Sequence, residues 1–234
     1  MNLFERIVDW DQQALLSLNS NHLPWLDRFM WLFSETLMWL PVLLVLALVL
    51  VRNKKNQALL LMLTFALLIL FTDQISSGII KPLVARFRPT HDPVIGNLVQ
   101  VVNNYRGGDY GFISSHAANV FAFAVLGSLF FRNWLYTCSI LAWAAAVSYS
   151  RIYLGVHYPL DVIAGAFFGS LSAIAFFYLY KVLIQNSTGI RLVSDRRPKE
   201  MTSSNYLKSD LYFILFSMLL VVVTMLFASV KLAW

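Results

Sequence analysis

Two histidines, His116 and His157, and Asp161, four residues after the second, are the groups in this 234-residue chain best suited to covalent chemistry. An imidazole can attack an electrophile through one ring nitrogen when a carboxylate accepts the proton of the other and fixes the tautomer. His157 and Asp161 meet on one face if a helix begins there, and Pro159 is tolerated in its first turn. The same spacing also suits a hydrogen-bonded pair that only orders the helix start. Four cations stand nearby: Lys81, Arg86 and Arg88 in KPLVARFRP, and Arg151 in SRIYLGVHYPLD. A phosphoryl group in transfer spreads negative charge over its equatorial oxygens, and preorganised cations stabilise it. His116, in ISSH, supplies what a two-step transfer needs: an acid for the leaving oxygen and later a base for water. Ser114 and Ser115 precede it, where N–H groups at a helix start can bind an anion. A serine cap followed by an interfacial histidine is the plainer reading of that stretch. Lys81 and Arg86 also fit interfacial residues that reach for lipid headgroups. That account does not explain arginines on two separate loops, both beside histidine motifs.

These groups must be positioned by membrane helices. Only 13% of residues are charged, 59% are hydrophobic, and the mean hydropathy is +0.65. A soluble domain is roughly 45–50% apolar, and a bilayer crossing takes about 20 mostly apolar residues. The apolar runs predict six transmembrane helices over about residues 27–51, 57–80, 115–131, 134–150, 159–181 and 210–231. The expectation is an all-α integral membrane protein, one domain over residues 1–234, with each motif at the edge of a span. An ionisable group there is a functional-site hypothesis.

Residues 3–18 predict an amphipathic helix lying in the membrane interface, with Leu3, Ile7, Trp10, Ala14 and Leu18 on one face and Glu5, Asp9 and Gln12 off it. A frayed polar leader is the alternative. The first 20 residues lack the pattern of a cleavable signal. With the three motifs on one side, the other side holds Arg52, Lys54, Lys55, Arg132, Lys181, Arg191, Arg196, Arg197, Lys199 and Lys208. Basic residues prefer cytoplasmic loops, so the site and both termini are expected to face the periplasm or exterior of a cytoplasmic (inner) membrane. Nothing calls for nucleic acid or an obligate protein partner; membrane lipids are the partners implied. The 82–113 connection lies on the motif side and can cover the site. The polar 185–210 connection is expected to be a flexible cytoplasmic connector near anionic lipid. Cys138 reads as a small core residue, Trp25, Trp31, Trp134 and Trp234 as an interfacial belt, and Trp39 and Trp143 as packing residues. Gly165 and Gly169 continue the Asp161 face and predict close packing toward the site. Asp73 is a tether for Lys81 or a nearby backbone group, or an interfacial residue. Arg106 and Asp109 are candidates for headgroup contact, or a solvated loop.

Three motifs in order carry a resemblance. Lys81…Arg88-Pro89, Ser114-Ser115-His116 and Ser150-Arg151…His157…Asp161 resemble the phosphatidic acid phosphatase type 2 superfamily of membrane lipid phosphatases. The first and third keep the family spacing. In the second, Ile113 and Ser115 replace the family's proline and glycine. The resemblance implies that His157 forms a phosphohistidine, Asp161 orients it, and His116 protonates the leaving group. It implies that Lys81, Arg88, Ser114, the Ser115 amide and Arg151 hold the phosphoryl oxygens, with no metal and no cofactor. The expected activity is hydrolysis of a lipid phosphate or diphosphate at the outer face. Undecaprenyl diphosphate stands first among substrates, phosphatidylglycerol phosphate or phosphatidic acid second, and a lipid A phosphate third. A lipid phosphotransferase, and a lipid-binding or transport protein on the same scaffold, are the rival readings. Arg86, outside the family pattern, reads as interfacial.

Overall fold

Most of the apolar runs become helices where expected, but the first does not form one helix. The computed structural model describes residues 2–53, 57–188 and 206–231. Lys54, Lys55, Arg191, Arg196, Arg197, Lys199, Trp234 and most of the 185–210 connection therefore lie outside the described residues. The order is α1 (Leu3–Leu18), α2 (Pro24–Ser34), a 3-10 turn (Thr36–Trp39), α3 (Leu40–Asn53), α4 (Ala58–Gln74), a π-helical stretch (Ile75–Ile80), α5 (Lys81–Val84), α6 (Ser115–Phe131), α7 (Trp134–Tyr153), α8 (Pro159–Thr188) and α9 (Lys208–Lys231). An isolated β-bridge joins Phe87 and Tyr110.

The 27–51 run breaks at Glu35, whose backbone is extended. Pro41 then sits in the first turn of α3, where its missing N–H is harmless; further inside a helix it would remove a hydrogen bond. The break leaves Ser34 at the C-terminal end of α2, where it reaches Arg151. The 57–80 run is continued by α5, which ends at Ala85 in the left-handed conformation. Pro82 cannot donate to Gly78, and the ladder adapts upstream by widening: the Lys81 N–H bonds the Ser76 carbonyl, five residues back.

Among the described residues four helices are long and apolar enough to cross a membrane: Thr36–Asn53, Ala58–Val84, Pro159–Ile184 and Lys208–Lys231. The 17-residue α6 is shorter, and α7 carries Ser148, Ser150 and Arg151 in its last turns. Helix α7 keeps an exposed face that includes Trp134, Leu135 and Ala142, whereas α6 is the inner helix. Helix α6 packs most extensively on α8, then on α7 and α4, so neighbouring helices rather than lipid surround much of it. Cβ atoms built on Gly165 and Gly169 would meet the Ser114 carbonyl at 2.4 Å and the Ala118 carbonyl at 2.0 Å. Only glycine permits that approach of α8 to α6, as the spacing predicted. Cys138, by contrast, is exposed. In an apolar bundle the outer surface is as hydrophobic as the core, so hydropathy alone does not tell inside from outside.

Beside the bundle, the 82–113 connection is packed rather than loose. Ile95 and Val99 join Leu15, Ile152 and Tyr158 in a small core, and Val102 joins Tyr153 and Leu154 in another. The Asn19 amide donates to the Tyr153 and Gln100 carbonyls and accepts the Gln100 N–H. Helix α1 is thereby fixed to the site end of the molecule. A capping box between Asn2 and Glu5 starts it, while Leu3 and Phe4 remain 73% exposed and Trp10 55%.

Candidate active site

His157 lies in the short turn between α7 and α8, buried to 1% exposure. Asp161, fully buried in the first turn of α8, brings Oδ2 to 3.5 Å from His157 Nδ1 and accepts the Tyr158 N–H at 3.0 Å. The predicted pair thus lies side by side, but 3.5 Å is longer than a well-formed hydrogen bond, and Nδ1 is buried without a hydrogen-bond partner among the described residues. The other ring nitrogen, Nε2, lies 3.4 Å from Arg88 Nη1. Arg88 also donates to the Val156 carbonyl at 3.2 Å. Burial, then the charges of Arg88, Arg151 and Lys81, hold the His157 imidazole well below the ordinary histidine range, against a smaller opposing effect of the Gly111 backbone. The imidazole is therefore neutral near pH 7, the form that can act as nucleophile.

Two backbone bonds position Arg88: its N–H donates to the Asp109 carbonyl, and the Gly111 N–H donates to the Arg86 carbonyl, both at 2.9 Å. This pins the motif against residues 109–111. A Cβ on Gly111 would approach Asp161 Oδ2 to 3.0 Å, so glycine leaves the carboxylate its place. Arg151, buried near the end of α7, donates to Ser34 Oγ, and its guanidinium carbon lies 5.9 Å from the Tyr105 ring centroid. Lys81 donates to Ser115 Oγ at 2.6 Å and approaches Ser77 Oγ at 3.5 Å. Ser115, where the family has glycine, thus adds a hydroxyl that engages the lysine. Ser114 caps α6 by accepting the Ala117 N–H, and its own N–H donates to the Asp161 carbonyl at 3.0 Å. That bond ties the second motif to the third.

His116, in the first turn of α6, lies within electrostatic reach of Arg151, His157, Lys81 and Arg88. It lines a cavity of about 290 Å³ whose walls include Trp39, Phe123 and Trp143, with Asp73 and Asn119 as polar members. Trp39 and Trp143 pack edge to face at 5.2 Å, as packing residues should. Asp73 accepts from the Asn119 amide at 3.4 Å, and Asn119 accepts from Thr72 Oγ1 at 2.7 Å. It thus braces α4 against α6. Arg106 is exposed and bonds the Thr90 carbonyl.

Arg86 is the correction. Its Nη1 donates to Asp161 Oδ1 at 2.9 Å, its Nη2 donates to Asp11 Oδ2 at 2.7 Å, and its guanidinium carbon lies 4.0 Å from the Tyr158 ring centroid. An interfacial role misses this because the partner, Asp11, is far away in sequence. A signal was present: Asp11 stands in the row Ile7, Asp11, Leu15, a charge set into an apolar stripe. Lys81, Arg88 and Arg151 differ from Arg86. Among the described residues none of the three forms an ion pair, whereas Arg86 forms two. The Nε atoms of Arg88 and Arg151 are buried without a hydrogen-bond partner among the described residues.

Comparison with known proteins agrees with this geometry. Residues 58–185 match the PAP2 superfamily. The chain is 39% identical over 180 residues to a lipid A 4'-phosphatase of Bacteroides thetaiotaomicron, covering 76% of this chain and 80% of that protein. It is 30% identical over 169 residues to an undecaprenyl-diphosphatase of Sulfolobus acidocaldarius, covering 71% and 76%. In fold it is similar to a crystallised transmembrane PAP2-type phosphatidylglycerolphosphate phosphatase of Bacillus subtilis, with a TM-score of 0.57, 21% identity and coverage of 80% and 90%. Since the family match spans more than half of the residues and holds all three motifs, the chain belongs to the PAP2 superfamily.

Proposed function

We propose that the protein hydrolyses a phosphate ester on a lipid through a phosphohistidine at His157. The observation that carries this is the set of three cations around a buried neutral imidazole, none of them paired with a carboxylate among the described residues. A phosphate group supplies the missing negative charge and accepts the guanidinium N–H groups of Arg88 and Arg151. His157 Nε2 forms a bond to phosphorus while the bond from phosphorus to the leaving oxygen breaks, and His116 gives that oxygen its proton. Asp161 takes up the positive charge that develops on the ring. Water, deprotonated by His116, then attacks the phosphohistidine; the phosphorus–nitrogen bond breaks and inorganic phosphate leaves. Lys81, Arg88, Arg151, Ser114 and the Ser115 amide hold the phosphoryl oxygens through both steps. No step calls for a metal.

The likeness to known proteins reorders the expected substrates. Lipid A phosphate moves ahead of undecaprenyl diphosphate, because the lipid A 4'-phosphatase likeness is the stronger of the two. The cavity at His116 supports the same order: Asp73 and Asn119 can receive sugar hydroxyls, and the aromatic walls can receive an acyl chain. The 30% identity to an undecaprenyl-diphosphatase keeps the diphosphate as the second reading. Six membrane crossings, with α6 and α7 completing the four longer spans, and α1 lying in the outer interface on Leu3, Phe4 and Trp10, put the site where a headgroup can enter while its tails stay in lipid. The test is phosphate release by the purified protein from lipid A, undecaprenyl diphosphate, phosphatidylglycerol phosphate and phosphatidic acid. Release from lipid A that vanishes in His157→Ala is expected; a His157→Ala protein with the wild-type rate sinks the mechanism.

A further inference from the structure

Asp11 is completely buried, although it lies on a helix whose neighbouring side chains are largely exposed. An ionised carboxylate in that position is costly unless its lone pairs are filled. They are: Oδ2 accepts from Arg86 Nη2 at 2.7 Å, and Oδ1 accepts the Leu160 N–H at 2.9 Å. Leu160 is the residue before Asp161, in the open first turn of α8, so Asp11 also caps the helix that carries the catalytic carboxylate. Arg86 completes the circuit by donating Nη1 to Asp161 Oδ1. One planar guanidinium therefore joins two buried carboxylates far apart in the sequence, and only the second of them approaches the nucleophile's ring.

We infer that Asp11 is a positioning residue for His157, acting through Arg86 and the start of α8 on Asp161; this rests on the phosphohistidine reading above. Two consequences follow from charge. With Asp11 ionised, Arg86 is shared between two carboxylates, and Asp161 keeps electron density for the His157 Nδ1 proton. With Asp11 neutral, the whole Arg86 charge falls on Asp161 Oδ1 and competes with the imidazole for that carboxylate. Burial pushes the Asp11 carboxyl up from its ordinary value, while the Arg86 hydrogen bond and the Leu160 N–H oppose that rise. Its ionised form thus depends on the circuit being closed. Helix α1 is held in place independently by Asn19 on Tyr153 and Gln100, and by Gln12 on Asp92 at 3.4 Å. Loss of the Asp11 charge should therefore leave the helix docked.

The experiment compares wild type, Asp11→Asn, Asp11→Glu, Arg86→Gln and the Asp11→Asn/Arg86→Gln double variant, as full chains in lipid nanodiscs. Phosphate release gives kcat and KM. Histidine-labelled NMR follows the His157 Nδ1 proton, assigned by its absence in His157→Gln. Asp11→Asn should lower kcat about 10- to 100-fold, the range found when a partner that orients a functional side chain is removed, with KM changed less than about threefold. The Nδ1 proton signal should shift or broaden, and Asp11→Glu should recover part of both. The double variant should fall no further than Arg86→Gln alone, because the two act in series. The inference is overturned if kcat and the proton signal are unchanged in Asp11→Asn, if only the melting temperature falls, or if the two single losses multiply. If wild type releases no phosphate from any lipid, the functional reading fails, and the proton signal still decides the role of Asp11.

Discussion

Replacing Gly165 by alanine tests how tightly the fold holds the reacting groups. The added methyl would lie 2.4 Å from the Ser114 carbonyl, 3.2 Å from the Ala117 Cβ and 3.3 Å from the Ala118 N–H nitrogen. The first contact is about 1 Å inside ordinary van der Waals separation, and its partner is backbone, which cannot rotate away. Alanine is favoured over glycine in a helix by about 1 kcal/mol. Overpacking a close interface costs about 1–3 kcal/mol, so the clash wins or at best cancels. The relief is separation of α8 from the start of α6 by up to about 1 Å. That boundary divides Asp161 and His157 from Ser114 and His116, and the Ser114 N–H to Asp161 carbonyl bond of 3.0 Å crosses it. A misplacement of about 1 Å can cost 10²-fold in rate. Gly165→Ala is expected to lose about 100-fold in kcat, with a melting temperature a few degrees lower at most. Gly169→Ala, with a worse clash one turn further from the chemistry, should lose more stability. Gly108→Ala, where a Cβ meets nothing within 4 Å, serves as the control. Phosphate release and thermal melting in the same detergent read both quantities. A Gly165→Ala protein with wild-type kcat would show that the approach of α8 to α6 does not set the site.

Three further outcomes are expected. The acid limb of kcat/KM reports the free enzyme's essential base; because burial and three cations depress His157, it should fall below the ordinary histidine value of about 6.5, once the substrate's own ionisation is titrated separately. A limb at or above that value contradicts a neutral, cation-flanked nucleophile. Ser115→Gly releases Lys81 from its 2.6 Å hydroxyl partner, so activity should persist with KM changed a few-fold; abolished activity would make the hydroxyl itself essential. Asp92 accepts from Tyr158 Oη at 2.7 Å and from the Val94 and Ile95 N–H groups; burial alone would raise its carboxyl, but these bonds outweigh it and hold it below the ordinary value. A depressed carboxylate stabilises the fold above its unfolded value of about 3.9 and loses that contribution as pH falls through the folded one. The melting-temperature gap between wild type and Asp92→Asn should therefore be full at pH 7 and close below about pH 4; a gap that does not change with pH would assign Asp92 no charge-dependent role.

Hydropathy placed α6, α9 and the start of α8 within a few residues, and motif spacing singled out His157, Asp161, His116, Lys81, Arg88 and Arg151, which the fold gathers at one end of the bundle. Both are local signals: an apolar run must form helix in lipid to satisfy its backbone, and residues i and i+4 meet wherever that helix forms. The bends were less legible. Glu35 and Pro41 split the first run, and Pro82 acted upstream through the π-helical stretch, where no residue type announces the register change. The serine at the family's glycine position could be seen in the sequence, but not the Lys81 contact it makes.

What the sequence alone determined was the family and its motif order: imidazoles, a carboxylate and cations at the ends of apolar helices, in the order of one superfamily. What only tertiary structure decided was how charge is divided among the cations. Among the described residues Lys81, Arg88 and Arg151 lie around His157 without carboxylate partners, while Arg86 is paired on both sides by Asp161 and Asp11. Pairing depends on distance in space. Asp11 and Arg86 come within 2.7 Å across 75 positions of sequence because Asn19 and Gln12 dock α1 on the loop and turn that surround the site. No spacing rule reaches that far, so a charge set in an apolar stripe was the only trace the sequence could carry.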